Sequence, residues 1–229
     1  MCCQSMVQAF KHSMLSGFLK LALGDLHTII LKNDGSVWNT GNTGGNPRDS
    51  SKYFVKVISS DVIAVAAGNG YTMVLKQDGS VWARGKNHNG QLGDGTRHSK
   101  DDFFFVHRID GAKAVAAGGH HTLVLTNQGR VWATGWNKYG QLGDMSSSYR
   151  KTFFCTISIG AESVSAGDVH TVVSKRDGSV WAAGRNNNGQ LGDGSNSDRK
   201  FFVKVMSGSA CLFSLITVSI CGNKSAIVS

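Results

Sequence analysis

Residues 78–95 read Asp-Gly-Ser-Val-Trp-Ala-Arg-Gly-Lys-Asn-His-Asn-Gly-Gln-Leu-Gly-Asp-Gly, and residues 177–194 repeat most of this phrase. A third copy runs from Gln128 to Asp144, and a shorter relative begins at Asp34. The spacings between the tryptophans of the phrase are 44, 50 and 49 residues, for Trp38, Trp82, Trp132 and Trp181. A long period of this kind predicts a repeat architecture, in which an assembled surface rather than one local motif carries function.

Each repeat contains about four short predicted strands and a long closing loop. In the clearest unit, from Phe54 to Lys100, an alternating strand opens at residues 54–57 and a small apolar strand follows at residues 63–68. Asp78-Gly79 then separates two β-rich runs, which predicts a tight hairpin because such turns need positive φ. Four-stranded units of this length are typical of the blades of a β-propeller, so we predict an all-β fold.

The phrase Asp-Gly-Ser-Val-Trp-Ala, followed by Gly-x-Asn-x-x-Gly-Gln-Leu-Gly-Asp, resembles the regulator of chromosome condensation repeat family. The resemblance covers roughly residues 21–205 and implies a seven-bladed ring, of which this chain supplies about four blades. We therefore predict a patternless segment at 1–20, one partial β-propeller at 21–205, and a degenerate or truncated fifth unit at 206–229, which would begin with the strand at 202–205. Three interpretations stay open: a truncated gene product, ring completion by another copy or propeller fragment, and an open arc with capped ends.

The composition fits a folded chain with a basic surface. Hydrophobic residues make up 41% of the 229 residues, and the net charge is +9. Such a charge favours acidic partners, but it is equally typical of a solvated basic surface without a dedicated partner. The five cysteines are odd in number and contain no Cys-x-x-Cys pair, which favours an intracellular location, cytoplasmic or nuclear. No segment approaches the ~18 apolar residues of a membrane span.

Two sets of repeated positions are predicted to be structural. The tryptophans follow valine on a predicted strand in every unit, which indicates packing between neighbouring blades. The second set stands three residues after a glycine, and its histidines are expected to hydrogen-bond to an adjacent turn. Equivalent positions lie a blade width apart, too far for shared metal ligation at ~2 Å. The predicted structural set is Trp38, Trp82, Trp132, Trp181, His27, Tyr71, His121 and His170.

No residue pattern supports catalysis. Asp94, Asp144 and Asp193 are separated by the repeat period and cannot form a carboxylate pair for acid–base chemistry. The sequence has no Gly-x-Ser-x-Gly elbow and no phosphate-binding Gly-x-x-x-x-Gly-Lys segment. We predict no catalytic residues, no cofactor, no metal and no small-molecule substrate.

A cationic cluster follows each closing loop and precedes a phenylalanine. If the blades repeat, these loops emerge on one side of the propeller and their cations form an arc of positive charge. Trp136 is out of register with the other tryptophans and lies beside Asn137 in a loop, which makes it a candidate surface anchor. Lysines at strand ends also deter sheet-to-sheet pairing, which is the alternative interpretation of the looser lysine series at the hairpins. The predicted partner-binding set is Arg48, Lys52, Arg97, Lys100, Trp136, Arg150, Lys151, Arg199 and Lys200.

The leading hypothesis is a non-enzymatic interaction module that binds an acidic protein surface with loops on one propeller face. The resemblance implies a sharper alternative, guanine-nucleotide exchange on a Ran-type small GTPase with chromatin association, although no long wedge-like insertion separates the units. A third alternative is DNA or nucleosome binding through the basic arc, with an affinity that falls steeply with salt. Self-association to complete the ring also stays open.

Overall fold

The computed structural model describes residues 18–44, 50–208, 217–221 and 224–228. All regular structure in these residues is β-strand. Four antiparallel sheets of four strands follow one another along the chain, and each sheet keeps its strands in chain order. We call these sheets blades 1 to 4. A two-stranded hairpin follows blade 4.

The strands of blade 1 are β1 (Phe18–Leu23), β2 (His27–Lys32), β3 (Val37–Gly41) and β4 (Ser51–Ile58). Those of blade 2 are β5 (Val62–Ala67), β6 (Tyr71–Lys76), β7 (Ser80–Gly85) and β8 (Lys100–Arg108). Those of blade 3 are β9 (Ala112–Ala117), β10 (His121–Thr126), β11 (Val131–Gly135) and β12 (Arg150–Ile157). Those of blade 4 are β13 (Ala161–Ala166), β14 (His170–Lys175), β15 (Val180–Gly184) and β16 (Arg199–Met206), and the hairpin consists of β17 (Thr217–Cys221) and β18 (Lys224–Val228).

The hairpin between the second and third strands is built by the repeated phrase itself. In blade 2, Gly79 has a φ of 80° and its N–H donates to the Lys76 carbonyl at 3.0 Å. The Asp78 carboxylate accepts from the Ser80 N–H at 2.9 Å, and the Ser80 hydroxyl accepts from Trp82 Nε1 at 3.0 Å. Lys76 Nζ lies 4.3 Å from the centroid of the Trp82 ring. One local chain of polar contacts therefore fixes the turn and the indole together.

The other blades repeat this hairpin with one exception. Trp38 and Trp181 also donate to the serine two residues earlier, at 3.1 Å and 2.8 Å. Blade 3 has Gln128 and Arg130 at the aspartate and serine positions, so Trp132 cannot make the same bond. All four of these tryptophans are half-buried.

The phase of the repeat differs from the prediction. Residues 54–57 were expected to open a repeat, but they lie in β4, which pairs with β3 and closes blade 1. The strand at residues 202–205 likewise lies in β16 and closes blade 4. The prediction was wrong because the link from β4 to β5 is short, whereas a long loop separates β4 from its true partner. Hydrophobic pattern identifies a strand but does not identify its sheet.

The blades pack side by side through their inner strands. β5 contacts β2 and β9, and β9 contacts β13. An apolar cluster fills each boundary, and Trp82 and Trp132 pack against the clusters between blades 1 and 2 and between blades 2 and 3. Burying such side chains away from water stabilises neighbouring blades together. Each cluster contains residues of both blades: Ile29 and Val65 between blades 1 and 2, Leu75 and Val124 between blades 2 and 3, and Leu123 and Val173 between blades 3 and 4.

Blade 1 exposes apolar side chains in its first strand, whereas the equivalent side chain in the first strand of blade 2 is buried. Leu21 in β1 is 57% exposed, whereas Val65, at the matching position of β5, is 8% exposed and packs against blade 1. Leu23 and Leu26 are also exposed, at 59% and 61%. The side of blade 1 that carries Leu21 is therefore an uncovered apolar surface among the described residues.

Candidate protein-interaction surface

Two connections emerge from the same end of every blade because the strands alternate in direction. One is the tight turn between the first and second strands, and the other is the long loop between the third and fourth strands. We call this end of the blades the loop face, and the Asp-Gly hairpins lie at the opposite end. The long loops cover residues 42–50, 86–99, 136–149 and 185–198, of which 45–49 lie outside the described residues.

Each fully described long loop is held together by its own polar side chains. In blade 2 the Asn87 amide donates to Asp94 Oδ1 at 2.9 Å, and the Asn87 side-chain oxygen accepts from the Leu92 N–H at 3.0 Å. The same bonds recur around Asn137 in blade 3 and Asn186 in blade 4. Loops fixed in this way present their exposed side chains in one arrangement, which reduces the entropy lost on binding.

The long loops of blades 2 and 3 also dock on the next blade. From blade 2, the Gly95 N–H donates to the Lys151 carbonyl at 2.8 Å, and the Thr122 hydroxyl donates to the Gln91 carbonyl at 2.7 Å. We call this set of contacts a latch. The latch of blade 3 has the same two bonds. The Met145 N–H donates to the Lys200 carbonyl at 2.8 Å, and the Thr171 hydroxyl donates to the Gln141 carbonyl at 2.7 Å. Each latch also buries one leucine completely, Leu92 or Leu142.

The predicted cations lie at the rim of the loop face, close to the starts of the outer strands. Three of them form ion pairs with the aspartate six residues earlier in the same loop. The pairs are Lys100–Asp94 at 3.7 Å, Arg150–Asp144 at 2.8 Å and Arg199–Asp193 at 2.5 Å. The sequence reasoning overlooked this pairing, although the constant spacing of aspartate and cation could have revealed it.

The aspartates of these pairs remain charged under ordinary conditions. Burial raises the pKa of Asp193, but hydrogen bonds from Arg199, Ser195 and Asn186 outweigh this effect and lower the pKa to about 2. The pKa values of Asp94 and Asp144 are also lowered, because hydrogen bonds in their loops outweigh burial. These carboxylates therefore offset part of the positive charge that the sequence pattern suggested.

The remaining members of the predicted arc differ in their surroundings. The Arg97 guanidinium lies over the Tyr149 ring at 4.7 Å. Lys52, Lys151 and Lys200 are exposed and have no ion pair among the residues that the structure describes. Arg48 lies outside the described residues.

Blade 3 places three aromatic rings on the loop face, inside the rim. Trp136 directly follows β11, and its backbone N–H donates at 2.9 Å to the carbonyl of His120 in the tight turn after the inner strand β9. The His120 and Trp136 ring centroids are 5.3 Å apart at 78°, and those of Trp136 and Tyr139 are 5.5 Å apart at 68°. The Arg185 guanidinium of blade 4 lies 5.1 Å from the Tyr139 centroid. We call His120, Trp136 and Tyr139 the aromatic row.

The sequence pointed to Trp136 but not to its neighbours. The indole ring is half-buried within the aromatic row rather than isolated in a loop. A signal was present in the repeat alignment, because the residue after the glycine that ends each third strand is Asn42, Lys86 or Arg185 in the other blades. An aromatic residue at this position distinguishes blade 3.

The second predicted structural set lies at the boundaries between blades. His27 Nε2 is 2.9 Å from Thr72 Oγ1 of the next blade, and His121 Nε2 is 2.9 Å from Thr171 Oγ1. In blade 2 the Tyr71 hydroxyl donates to the His121 carbonyl at 2.6 Å. Burial lowers the pKa of His27 to about 4 and that of His121 to about 3, so both rings are neutral near pH 7. His170, at the matching place in blade 4, is also buried.

Two observations on the described part of the chain concern metal ligands and cavities. No group of three or more His, Cys, Asp or Glu side chains in that part is arranged to hold a metal ion. A hollow beside the latch of blade 2, lined by Gly93, His107 and Phe153, has a volume of about 200 Å³. Typical ligand pockets hold roughly 300–1,000 Å³.

The pattern of the blades matches a known repeat. The regulator of chromosome condensation (RCC1) repeat matches residues 62–91, 112–141 and 161–190 in one form, and residues 78–125 and 177–225 in a second form. The chain belongs to the regulator of chromosome condensation repeat family. No match was found among curated protein sequences.

Solved structures share the fold of this RCC1-repeat chain. Prp20p from Saccharomyces cerevisiae is 19% identical with a TM-score of 0.72, and the alignment covers 85% of this chain and 52% of that one. Yeast RCC1 (Prp20) bound to Kap60 is 20% identical with a TM-score of 0.77, covering 95% and 56%. Human WBSCR16 is 20% identical with a TM-score of 0.72, covering 94% and 60%. The chain thus spans a little over half the length of these three proteins.

The RCC1-repeat propeller presents a preorganised surface on its loop face. The internal amide bonds and the latches fix the long loops. Trp136 and Tyr139 lie in the long loop of blade 3, and most of the rim cations lie at the starts of the outer strands. The described residues contain no helix that could cross a membrane. The loop face thus combines hydrogen-bonded long loops, three aromatic rings and a rim of cations.

Proposed function

We propose that the protein is a non-enzymatic interaction module that binds an acidic surface of a protein partner on its loop face. The observation that carries this proposal is the row of exposed cations along one rim. Lys151 and Lys200 are exposed at the starts of β12 and β16, and the latches of the preceding blades bond to their backbone carbonyls. Charges placed opposite those of a partner favour that partner and accelerate encounter more than they raise affinity.

The ion-paired cations contribute less to this surface. The side chains of Lys100, Arg150 and Arg199 are 37%, 44% and 32% exposed, and each already contacts an aspartate. A partner carboxylate would have to compete with that aspartate. The electrostatic attraction of the rim therefore rests mainly on Lys52, Arg97, Lys151 and Lys200.

Relatives with the same fold support a protein partner. Prp20p has been described for its binding to Gsp1p and histones, and yeast RCC1 (Prp20) has been solved in complex with Kap60. These similarities favour one second candidate, guanine-nucleotide exchange on a Ran-type small GTPase with chromatin association. DNA or nucleosome binding by the rim is a third candidate.

The rim proposal is tested by charge reversal with a matched control. Lys151→Glu with Lys200→Glu changes the rim, whereas Lys56→Glu with Lys204→Glu makes the same change in net charge farther along the outer strands β4 and β16. We expect the rim variant to bind immobilised polyglutamate at least about tenfold more weakly, and the control variant to bind like the unmodified protein. Equal binding by both variants would contradict the proposal.

The two alternatives have their own measurements. Accelerated release of labelled guanine nucleotide from Ran-type GTPases would favour the exchange function. Binding to duplex DNA that weakens steeply between low and physiological salt, and that exceeds binding to polyglutamate, would favour a nucleic-acid partner.

We also propose that the uncovered side of blade 1 associates with another propeller surface, a second copy of this chain or a further set of blades. Its support is the exposure of Leu21, Leu23 and Leu26. A mass in solution of about twice 24.4 kDa, reduced to one chain by Leu21→Glu, is the expected result for a second copy. A monomer at all concentrations would contradict pairing of two copies.

An intracellular location, cytoplasmic or nuclear, is the proposal that fits the cysteines. Cys155 is exposed and is not in a disulfide. Imaging of the tagged chain tests this proposal, and secretion into the medium would contradict it.

A further inference from the structure

We propose that the aromatic row, flanked by Lys86 and Arg185, is the energetic centre of the loop face and binds an extended acidic peptide segment of the protein partner. The proposal rests on the proposed function, because it names the segment that the loop face takes. It places the dominant contacts inside the rim, on three consecutive blades, rather than on the rim lysines.

The aromatic row joins three blades into one patch. The aliphatic chain of Lys86 in blade 2 lies over the Gly70 turn. Burial lowers the pKa of His120, and the positive charge of Lys86 lowers it further. Arg185 of blade 4 lies over Tyr139, and Lys138 lies 5.7 Å from the same ring. The patch thus has three cations and two nearby carboxylates. Asp168 faces His120 and the Gly119 backbone, and Asp198 accepts a hydrogen bond at 2.7 Å from the backbone N–H of Asn186, next to Arg185. The excess of positive charge selects an acidic ligand.

Two buried nitrogen atoms in the aromatic row have no hydrogen-bond partner. These are Nε1 of Trp136 and Nδ1 of His120. A buried indole N–H without an acceptor is unfavourable, and buried polar groups of this kind are uncommon in folded proteins. Burial lowers the pKa of His120, so its ring is neutral near pH 7 and does not repel the cations around it. A partner carboxylate that reaches the indole would supply the missing acceptor.

The aromatic row is not needed to fold its own loop. The long loop of blade 3 keeps the same internal bonds as the other long loops, around Asn137, Gln141 and Asp144. The backbone N–H of Tyr139 donates to the side-chain oxygen of Gln141. The backbone N–H groups of Asn89 and Asn188 make the same bond to the matching glutamines of blades 2 and 4. Since polar residues suffice for the loop in blades 2 and 4, the rings of blade 3 are surplus to folding. Tryptophan, tyrosine and arginine are also the residues that dominate binding energy at protein interfaces.

The ring geometry favours a peptide over single-stranded nucleic acid. Nucleobases stack on open aromatic faces. In the aromatic row the rings meet edge to face at 78° and 68°, and cations lie over Tyr139. The edge-to-face contacts and the cations over Tyr139 therefore leave less open ring surface for a stacked base.

The first experiment observes the indole directly. The chain contains five tryptophans, so protein labelled with ¹⁵N-tryptophan has five indole N–H signals, and Trp136→Phe identifies the one from Trp136. The probe is a short synthetic peptide of Asp and Glu flanking one Leu. We expect the Trp136 signal to shift downfield as the peptide is added while the other four signals stay in place. An unmoved Trp136 signal at saturating peptide would overturn the proposal.

The second experiment measures the affinity of fluorescein-labelled peptide for matched variants. We expect Trp136→Ala to weaken binding at least about tenfold and Trp136→Phe to weaken it less, since the ring remains. Lys86→Glu and Arg185→Glu should each weaken binding to a similar degree. Tyr149→Ala is the control, because it removes a ring from the same loop at the rim, and its affinity should stay within about twofold. Melting temperature and circular dichroism confirm that each variant is folded.

The outcomes separate this inference from the proposed function. If reversal of Lys151 and Lys200 removes peptide binding and Trp136→Ala does not, the rim function stands and the aromatic row is overturned as its centre. If Trp136→Ala removes binding and the rim reversal does not, the aromatic row stands and the rim assignment fails. If neither variant loses binding, both fail. Tighter binding of single-stranded DNA than of the peptide, with the larger shift at Trp136, would overturn the peptide assignment.

Discussion

The long loops of blades 3 and 4 share the Gly-Gln-Leu-Gly-Asp segment and the same internal bonds around their first asparagine, yet their surroundings differ. In blade 3, Gln141 and Leu142 are completely buried against blade 4, and the latch joins Met145 to Lys200. In blade 4, Leu191 is 4% exposed and Gln190 is half-buried. A Cβ added at Gly192 or Gly194 would meet no atom of the described residues within 4 Å.

The comparison separates local from non-local structure. Asn186 still donates to Asp193 at 2.9 Å and accepts from the Leu191 N–H at 2.9 Å, just as Asn137 does in the docked loop. The shape of a long loop is therefore set by its own residues. Docking adds burial against the next blade. The following substitutions measure how much this burial contributes to the free energy of unfolding.

Loss of the docked leucine is expected to have the largest effect. Leu142→Ala should lower the free energy of unfolding by about 4 kcal/mol, because the side chain is fully buried at the boundary with blade 4. Leu191→Ala should lower it by about half as much, since no further four-stranded blade follows blade 4 among the described residues. Urea unfolding of both variants checks this prediction. Equal losses would show that docking adds no packing energy.

The boundary histidines should make stability depend on pH. Burial lowers the pKa of His121 from 6.5 to about 3, so the unfolded chain takes up a proton before the folded one. The stability from the neutral ring is present above pH 6.5 and is lost as the pH falls below it. Between pH 6.5 and about pH 4 the loss should reach about 3 kcal/mol.

His121→Gln should flatten this pH dependence more than His170→Gln. Both rings are buried, but the His121 ring bonds to Thr171 across a latched boundary, and burial there lowers its pKa to about 3. Unfolding free energies measured for the variants at several pH values test the difference. A steep acid dependence that survives in His121→Gln would contradict the assignment to this ring.

Two matched glycines isolate the contact between loop and neighbour. Gly143 and Gly192 have φ values of +70° and +73°, so alanine strains the backbone equally, by about 1 kcal/mol. A Cβ at Gly143 would also collide with the Phe202 ring, whereas one at Gly192 meets nothing among the described residues. Gly143→Ala should therefore be about 2 kcal/mol more destabilising than Gly192→Ala. Thermal and urea unfolding of this pair gives the difference, and similar values would argue against tight docking.

Loss of a rim ion pair should change the free energy of unfolding least, and by the same amount in the docked and the undocked loop. Arg150 and Arg199 each bond to the aspartate of their own loop and are partly exposed. Replacing either by alanine should cost less than about 1 kcal/mol. Because the pair is internal to the loop, the two losses should agree within error. A clearly larger loss for Arg150→Ala would mean that the pair also supports the latch.

The local parts of the fold were predictable from the sequence. Asp78, Ser80 and Trp82 lie within five residues of one another, so the repeated phrase contains everything that its hairpin needs. The blade architecture follows from the same repetition. The sheet to which an outer strand belongs was not predictable from pattern, because β4 reads as a strand whether it pairs with β3 or opens the next blade.

The contacts between repeats were not predictable by the same reasoning. The Thr122 hydroxyl finds the Gln91 carbonyl across 31 positions of sequence, and a carbonyl acceptor leaves no trace in side-chain pattern. The candidate site shows the same division. Trp136 was identifiable because it is out of register with the other tryptophans. Its contact with His120 joins a long loop to a tight turn, and the contact of Tyr139 with Arg185 joins blade 3 to blade 4, so neither can be read from one repeat.

The latches also impose an order on the chain while it is being synthesised. Gly95 can bond only after Lys151 has emerged from the ribosome and β12 has joined its sheet. At roughly 5–20 residues per second, each finished blade waits several seconds with its loop open. A nascent chain therefore carries a single unclosed junction that moves toward the C-terminus, and chaperones that guard growing polypeptides would meet their target there.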